Sequence, residues 1–99
     1  DNASVSGTVR GSQYKDYLLG ARAGQSMSVS LITRGNAYFN ILPPRSNDVA
    51  IYNSSANGND AVNIALPATG DYKIRVYLMG NAKSANRTVS YQLSMTVMN

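Results

Sequence analysis

The stretch SYQLSMTVM, residues 90–98, decides the fold class. Tyr91, Leu93, Met95 and Val97 fall on one side of an extended chain and Gln92, Ser94 and Thr96 on the other, the alternation of a strand with one buried face. A helix would scatter the same residues around its circumference, because its apolar stripe recurs every ~3.6 residues. The same signal recurs upstream. DYKIRVYLM, residues 71–79, sets Tyr72, Ile74, Val76 and Leu78 against Lys73, Arg75, Tyr77 and Met79, and QSMSVSLIT, residues 25–33, sets Met27, Val29 and Leu31 against Ser26, Ser28 and Ser30.

Weaker runs follow the same pattern at SVSGTVR (4–10), QYKDYLL (13–19), AYFNIL (37–42), VAIYN (49–53) and DAVNIAL (60–66). Between the runs lie Ala23-Gly24, Arg34-Gly35-Asn36, Pro43-Pro44, Asn57-Gly58-Asn59 and Thr69-Gly70-Asp71. In these turns Gly supplies positive φ, Pro a fixed φ and Asn the left-handed region. Nowhere does a helical stripe extend far without a Gly or Pro to break it. The expectation is an all-β protein, an antiparallel two-sheet β-sandwich of jelly-roll type with about eight strands, neighbouring strands joined by short turns. The 99 residues suffice for one core, so residues 1–99 read as a single domain.

Composition narrows the chemistry. The chain has no His, Cys or Glu, which removes the commonest general base, the thiol nucleophile, disulfides and the usual zinc ligands. A glycosidase pair would have to come from Asp1, Asp16, Asp48, Asp60 and Asp71, and Asp71 sits in turn chemistry; an enzyme is not expected, nor is a cofactor. Oxygen ligands at Asn47-Asp48 and Asn57–Asp60 suit a hard cation, but their spacing is not that of an EF-hand and Asn-Gly-Asn-Asp reads first as a tight turn. The net charge of +4 is spread along the chain rather than gathered in runs, which argues against a nucleic-acid partner. No apolar run is long enough for a membrane-spanning helix. The chain reads either as a cytosolic protein or as the mature form of an exported one, and its Asn/Ser/Thr-rich composition with few lysines favours export.

Seven of the eight aromatic residues are Tyr. Tyr72 and Tyr91 fall on inward faces. Tyr14 and Tyr17, three positions apart, must point to opposite faces, leaving one of them outside. The outward Tyr77, Met79 and Met98 suggest a homodimer face. The most conspicuous polar segment is GNAKSANRTVSY, residues 80–91, between two strong strand runs. It carries Lys83 and Arg87 together with Asn81, Ser84, Asn86 and Thr88, and reads either as a solvated hairpin end or as a binding loop on a rigid scaffold.

The stretches YLLGARAGQSMSVSL (17–31), ALPATGDYKIRVYLM (65–79) and NAKSANRTVSY (81–91) resemble the bacterial periplasmic lysozyme inhibitors of the i-type and g-type classes. The most specific parts are Ala23 to Leu31, the L-P-A-x-G-x-Y-x-x-R-V string from Leu66 to Val76, and the spacing of Asn81, Asn86, Thr88 and Tyr91. The resemblance implies a β-sandwich in the periplasm that blocks a lysozyme by pushing loop residues into its cleft. Asn81, Lys83, Ser84, Asn86, Arg87, Thr88 and Tyr91 would be the contacts. The g-type inhibitors carry arginines where this chain has Gly80 and Ser84, and Thr88 with Tyr91 matches an element of the i-type inhibitors. An i-type lysozyme is therefore the favoured partner, with a g-type lysozyme as the alternative. A glycan- or peptidoglycan-binding accessory sandwich is a further alternative.

Overall fold

The computed structural model describes residues 2–99. They form eight strands: β1 (Asn2–Arg10), β2 (Tyr14–Ala21), β3 (Ser26–Thr33), β4 (Ala37–Leu42), β5 (Tyr52–Asn53), β6 (Asp60–Ala65), β7 (Gly70–Leu78) and β8 (Thr88–Met98). Two single-turn helices, α1 (Ser54–Asn57) and α2 (Gly80–Ser84), interrupt them. One sheet has the order β1-β8-β3-β6 and the other β2-β7-β4-β5. This is the all-β two-sheet sandwich read from the alternation, with the strand order of an eight-stranded jelly roll.

The connections differ from the expectation of short hairpins. Consecutive strands lie in opposite sheets at every step except β4 to β5, so the turn segments are arches between layers. Alternation reports which face of a strand is buried, and the same Gly and Asn residues serve an arch as well as a hairpin. The expected strand at 49–53 shrinks to Tyr52–Asn53. After Pro43-Pro44 the chain folds back over the outer face of the second sheet, where Lys73 Nζ donates to Asn47 Oδ1 at 2.6 Å and Arg75 Nη1 to the Asn47 carbonyl at 3.4 Å.

The inward positions make one core. Met27, Phe39, Ile41, Tyr72, Ile74 and Leu93 are fully buried, each contributing roughly 1.5–3 kcal/mol through apolar burial. The Tyr72 hydroxyl is satisfied locally, accepting from the Ala68 amide at 3.0 Å and donating to the Ala68 carbonyl. Phe39 stacks on Tyr52 at 5.6 Å. Tyr14 is the exposed member of its pair, with the Arg75 guanidinium 4.1 Å from its ring centroid, while Arg75 also pairs with Asp16 at 2.8 Å.

Tyr17 of β2 and Tyr91 of β8 meet across the two layers, edge to face at 6.5 Å, with their hydroxyls hydrogen-bonded. Gly7 of β1, directly opposite Tyr91, leaves room for this pair: a Cβ there would stand 2.7 Å from the Tyr91 hydroxyl and 3.2 Å from that of Tyr17. Gly7→Ala should therefore displace the tyrosines and lower stability by about 1–3 kcal/mol in urea denaturation.

Burial, with the Tyr17 hydrogen bond second, raises the Tyr91 phenol well above its ordinary value. The fold favours the neutral phenol, so this contribution is complete below about pH 10 and is lost as pH climbs from there towards the raised value. In denaturation curves taken across about pH 9–11, Tyr91→Phe should lose stability less steeply than the unmodified chain.

Candidate functional site

Residues 79–88 carry the chain from the end of β7 in one sheet to the start of β8 in the other. GNAKSANRTVSY is thus an interlayer arch and not a hairpin loop, and its last four residues already belong to β8. Its first half is α2, entered through Gly80 at φ 59. Its second half closes that helix: Asn86 adopts φ 55, the Asn86 amide donates to the Lys83 carbonyl at 3.2 Å, and the Arg87 amide donates to the Ala82 carbonyl at 3.0 Å. This paired closure around a left-handed residue is the Schellman arrangement, in which Asn is a common alternative to Gly.

The arch is fastened to the turn between β1 and β2. The Gly11 amide donates to the Arg87 carbonyl at 3.0 Å. With the Asn86 amide oriented to satisfy both groups, its oxygen accepts from Arg10 Nε and Nη2, each at 3.2 Å. Gly11 is itself left-handed at φ 57, and a Cβ there would run into the Asn86 side chain. Asn86 is therefore an anchor for the arch as well as one of its exposed residues.

The arch presents Asn81, Lys83, Ser84, Arg87 and Thr88 to solvent along with Asn86. Tyr91 stands apart from these six, since it is only 5% exposed and packs in the core against Tyr17. Ser84 Oγ makes one long contact, 3.4 Å, to the Asn81 carbonyl.

Sequence reasoning missed the other wall of the site. The turn between β3 and β4 lies beside the arch because β3 pairs with β8, Thr33 opposite Tyr91. Between turn and arch runs an open groove of about 660 Å³ lined by Arg34, Asn36, Asn81, Arg87, Thr88 and Ser90, among others. Gly35 lets the turn settle on Val89, since a Cβ would stand 3.2 Å from both Val89 methyls. The lining holds two guanidinium groups and no carboxylate. Among the described residues neither Arg34 nor Arg87 has a side-chain hydrogen-bond or ion-pair partner. Arg34-Gly35-Asn36 reads as a plain turn in the sequence; only the pairing of β3 with β8 brings it here.

The segments weighed as cation ligands are partly engaged elsewhere, although Asn59 Oδ1 is buried without a hydrogen-bond partner. Asp60 accepts from Ser30 Oγ at 2.7 Å, Asn59 Nδ2 donates to the Ala37 carbonyl at 3.2 Å, and the Tyr52 hydroxyl ties down the Gly58 carbonyl. No cluster of three or more His, Cys, Asp or Glu side chains placed to hold a metal occurs among the described residues. The outward residues expected to form one dimer face do not share a patch. Met79 follows β7 at the arch end, whereas Met98 ends β8 at the opposite end of the other sheet, opposite Ser26.

No family model matches the chain. A curated relative, the inhibitor of g-type lysozyme of Escherichia coli (strain K12), is 27% identical over 96 residues, spanning 97% of this chain and 72% of that protein. The crystal structure of Aeromonas hydrophila PliG, described as a periplasmic lysozyme inhibitor of g-type lysozyme, superposes with a TM-score of 0.90 at 30% identity, covering 98% of this chain and 86% of the other. The Salmonella Typhimurium PliG structure, described in the same words, gives a TM-score of 0.75 at 30% identity over 97% and 90%. A jelly roll shared over nearly its whole length at this identity makes the chain a member of the family of bacterial periplasmic lysozyme inhibitors.

Proposed function

We propose that the protein is a periplasmic inhibitor of g-type lysozyme, and that it acts by setting the arch and the adjoining β3–β4 turn against the enzyme's substrate cleft. The observation that carries the reading is the groove in which Arg34 and Arg87 stand unpaired with no carboxylate beside them. A lysozyme cleft is lined by catalytic carboxyl groups. Unpaired guanidinium groups on a preformed edge meet such groups with charge-assisted, bidentate hydrogen bonds. The protein is not an enzyme, as its relatives are inhibitors and it has no His, Cys or Glu.

This corrects the preference for an i-type target. That preference rested on Gly80 and Ser84 standing where g-type inhibitors carry arginines, but the relatives matched over the full chain are described as inhibitors of g-type lysozyme. The physical reason the absence misleads is that cationic groups reach the same end of the sandwich from other positions, Arg34 on a separate turn and Arg87 after the helix. Lys83 adds a third at the exposed crest of α2. A standard-size interface of roughly 1,600 Å² is needed for specific inhibition, and the arch, the turn and the start of β8 together offer a continuous surface from which to build one.

Lys83→Ala combined with Arg87→Ala should raise the inhibition constant for a g-type lysozyme by about 100- to 10,000-fold, since each of the two charged hydrogen bonds lost is worth ~1.5–3 kcal/mol. The melting temperature should not change, because both side chains are exposed. Arg10→Ala leaves every cation of the groove in place but frees Asn86, and should weaken inhibition by several-fold through lost preorganisation. Assays on g-, i- and c-type lysozymes run in parallel test the reading as a whole: absence of g-type inhibition at micromolar protein refutes it.

A further inference from the structure

The outer face of the sheet β2-β7-β4-β5 carries two rows of side chains that run across the strands. Tyr14 of β2, Tyr77 of β7 and Tyr38 of β4 are register partners, so three tyrosines stand side by side at the arch end. The neighbouring row joins Asp16, Arg75, Asn40 and Asn53, one residue from each of the four strands. Beyond it the returning segment closes over Lys73 and Arg75 through Asn47. Neither row belongs to the core, which takes Phe39, Ile41, Ile74 and Val76 from the same strands, and neither lines the groove between Arg34 and Arg87.

Both rows are held in place by contacts within the protein. The Tyr38 and Tyr77 rings lie 6.4 Å apart with their planes inclined at 41°. Arg75 grips both carboxylate oxygens of Asp16, at 2.8 and 3.0 Å, with its guanidinium against the Tyr14 ring. The Tyr77 hydroxyl donates to Asn40 Oδ1 at 3.0 Å, and Asn53 Oδ1 stands 3.3 Å from it as a second acceptor. Both amide oxygens are thus used. Among the described residues Nδ2 of Asn40, Nδ2 of Asn53 and the hydroxyls of Tyr14 and Tyr38 have no partner. Tyr14 is 54% exposed, and Tyr38, Tyr77, Asn40 and Asn53 are half-buried. Aromatic pairs across strands stabilise a sheet by themselves, but that role does not call for open donors beside the rings.

We propose that this face is a carbohydrate site whose ligand is a neutral chain of N-acetylated pyranose sugars. A tyrosine offers a flat apolar body with a polar tip, which suits the C–H face of a pyranose and leaves its hydroxyls at the rim. The open Asn amide groups are donors for an acetamido carbonyl or a ring hydroxyl. Charge selects against ionic ligands: Arg75 is spent on Asp16, so the two rows are neutral, unlike the groove with its free guanidinium groups. A peptide added as a strand is also disfavoured, because side chains on a sheet face, and not a backbone edge, make the site. At the usual strand spacing the tyrosine row spans roughly 10 Å, the length of about two sugar rings. A glycan laid along it crosses the strands with the amide row on one flank and the arch on the other. The site is separate from the inhibitory surface and does not depend on it.

The test is a titration of the isotope-labelled chain with chitohexaose, followed by amide chemical shifts, with cellohexaose as the unacetylated control. Saturable shifts are expected at Tyr14, Tyr38, Asn40, Asn53 and Tyr77, with a dissociation constant below about 1 mM and at least about fivefold weaker binding of cellohexaose. Tyr38→Ala should weaken chitohexaose binding at least about tenfold, and Tyr14→Ala, at an exposed position where the melting temperature should hold, by about three- to tenfold. Lys83→Ala combined with Arg87→Ala should bind chitohexaose as the unmodified chain does, and Tyr14→Ala should inhibit a g-type lysozyme undiminished. Absence of binding at millimolar chitohexaose, or shifts centred on the groove, overturns the proposal. Equal affinity for cellohexaose overturns the assignment to acetylated sugars. Tyrosine variants that weaken lysozyme inhibition while glycan affinity stays unchanged overturn it as well, and make the row part of the enzyme interface.

Discussion

Stacked sheets lie about 10 Å apart, and a chain that changes sheet at almost every connection must span that gap each time. The segment between β7 and β8 is one of these spans, longer than the three- and four-residue arches at 11–13, 22–25, 34–36 and 66–69 because it contains α2. A two-residue turn reverses a strand within one sheet but cannot move it to the other layer. Here the bridge is a single helical turn closed by Asn86, and its polar crest is what remains when the backbone groups of the helix end have been satisfied. The site thus sits where the topology obliges the chain to leave the sheet.

Fastening gives this bridge its definite shape. A five-residue helix is too short to hold itself in water. The β1–β2 turn supplies what the helix lacks: a backbone hydrogen bond from Gly11 and a guanidinium fork from Arg10, both directed at Asn86-Arg87. Beneath them Tyr17 and Tyr91 close the end of the core, so the arch rests on a rigid floor. Tyr91 therefore serves the site from below.

Much of the fold was legible because one physical signal governs it. Tyr91, Leu93, Met95 and Val97, like Tyr72, Ile74, Val76 and Leu78, are buried as their alternation requires. What alternation does not encode is the partner of each strand, and several misreadings stem from that. The arch passed for a hairpin end because β7 and β8 looked like neighbours; Met79 and Met98 passed for one patch for the same reason. Arg34 went unnoticed since its place beside Arg87 depends on β3 pairing with β8, a contact between residues far apart in sequence. Residues 49 and 50 carry a strand-like pattern, yet pairing with β4 begins only at Ile51, whose amide donates to the Ile41 carbonyl, while Asn47 upstream is engaged by Lys73 and Arg75. Local sequence does not record such contacts.

The arch divides into two halves with different tolerance for change. Asn86 and its partner Gly11 are bound by backbone geometry and close approach, so substitutions there disturb the fold around them, whereas Arg87 is held through its backbone alone. The α2 half faces open space: a Cβ on Gly80 would meet nothing within 4 Å, and Asn81, Lys83 and Ser84 project from a helix whose only buried residue is Ala82. Side chains on this crown can be exchanged with little effect on the scaffold, except for the backbone cost of replacing the left-handed Gly80. On the function proposed above, a lineage of such inhibitors can follow a changing enzyme by rewriting the crown while the clasp stays fixed, and the same division marks out the positions at which a library for a new target would be built.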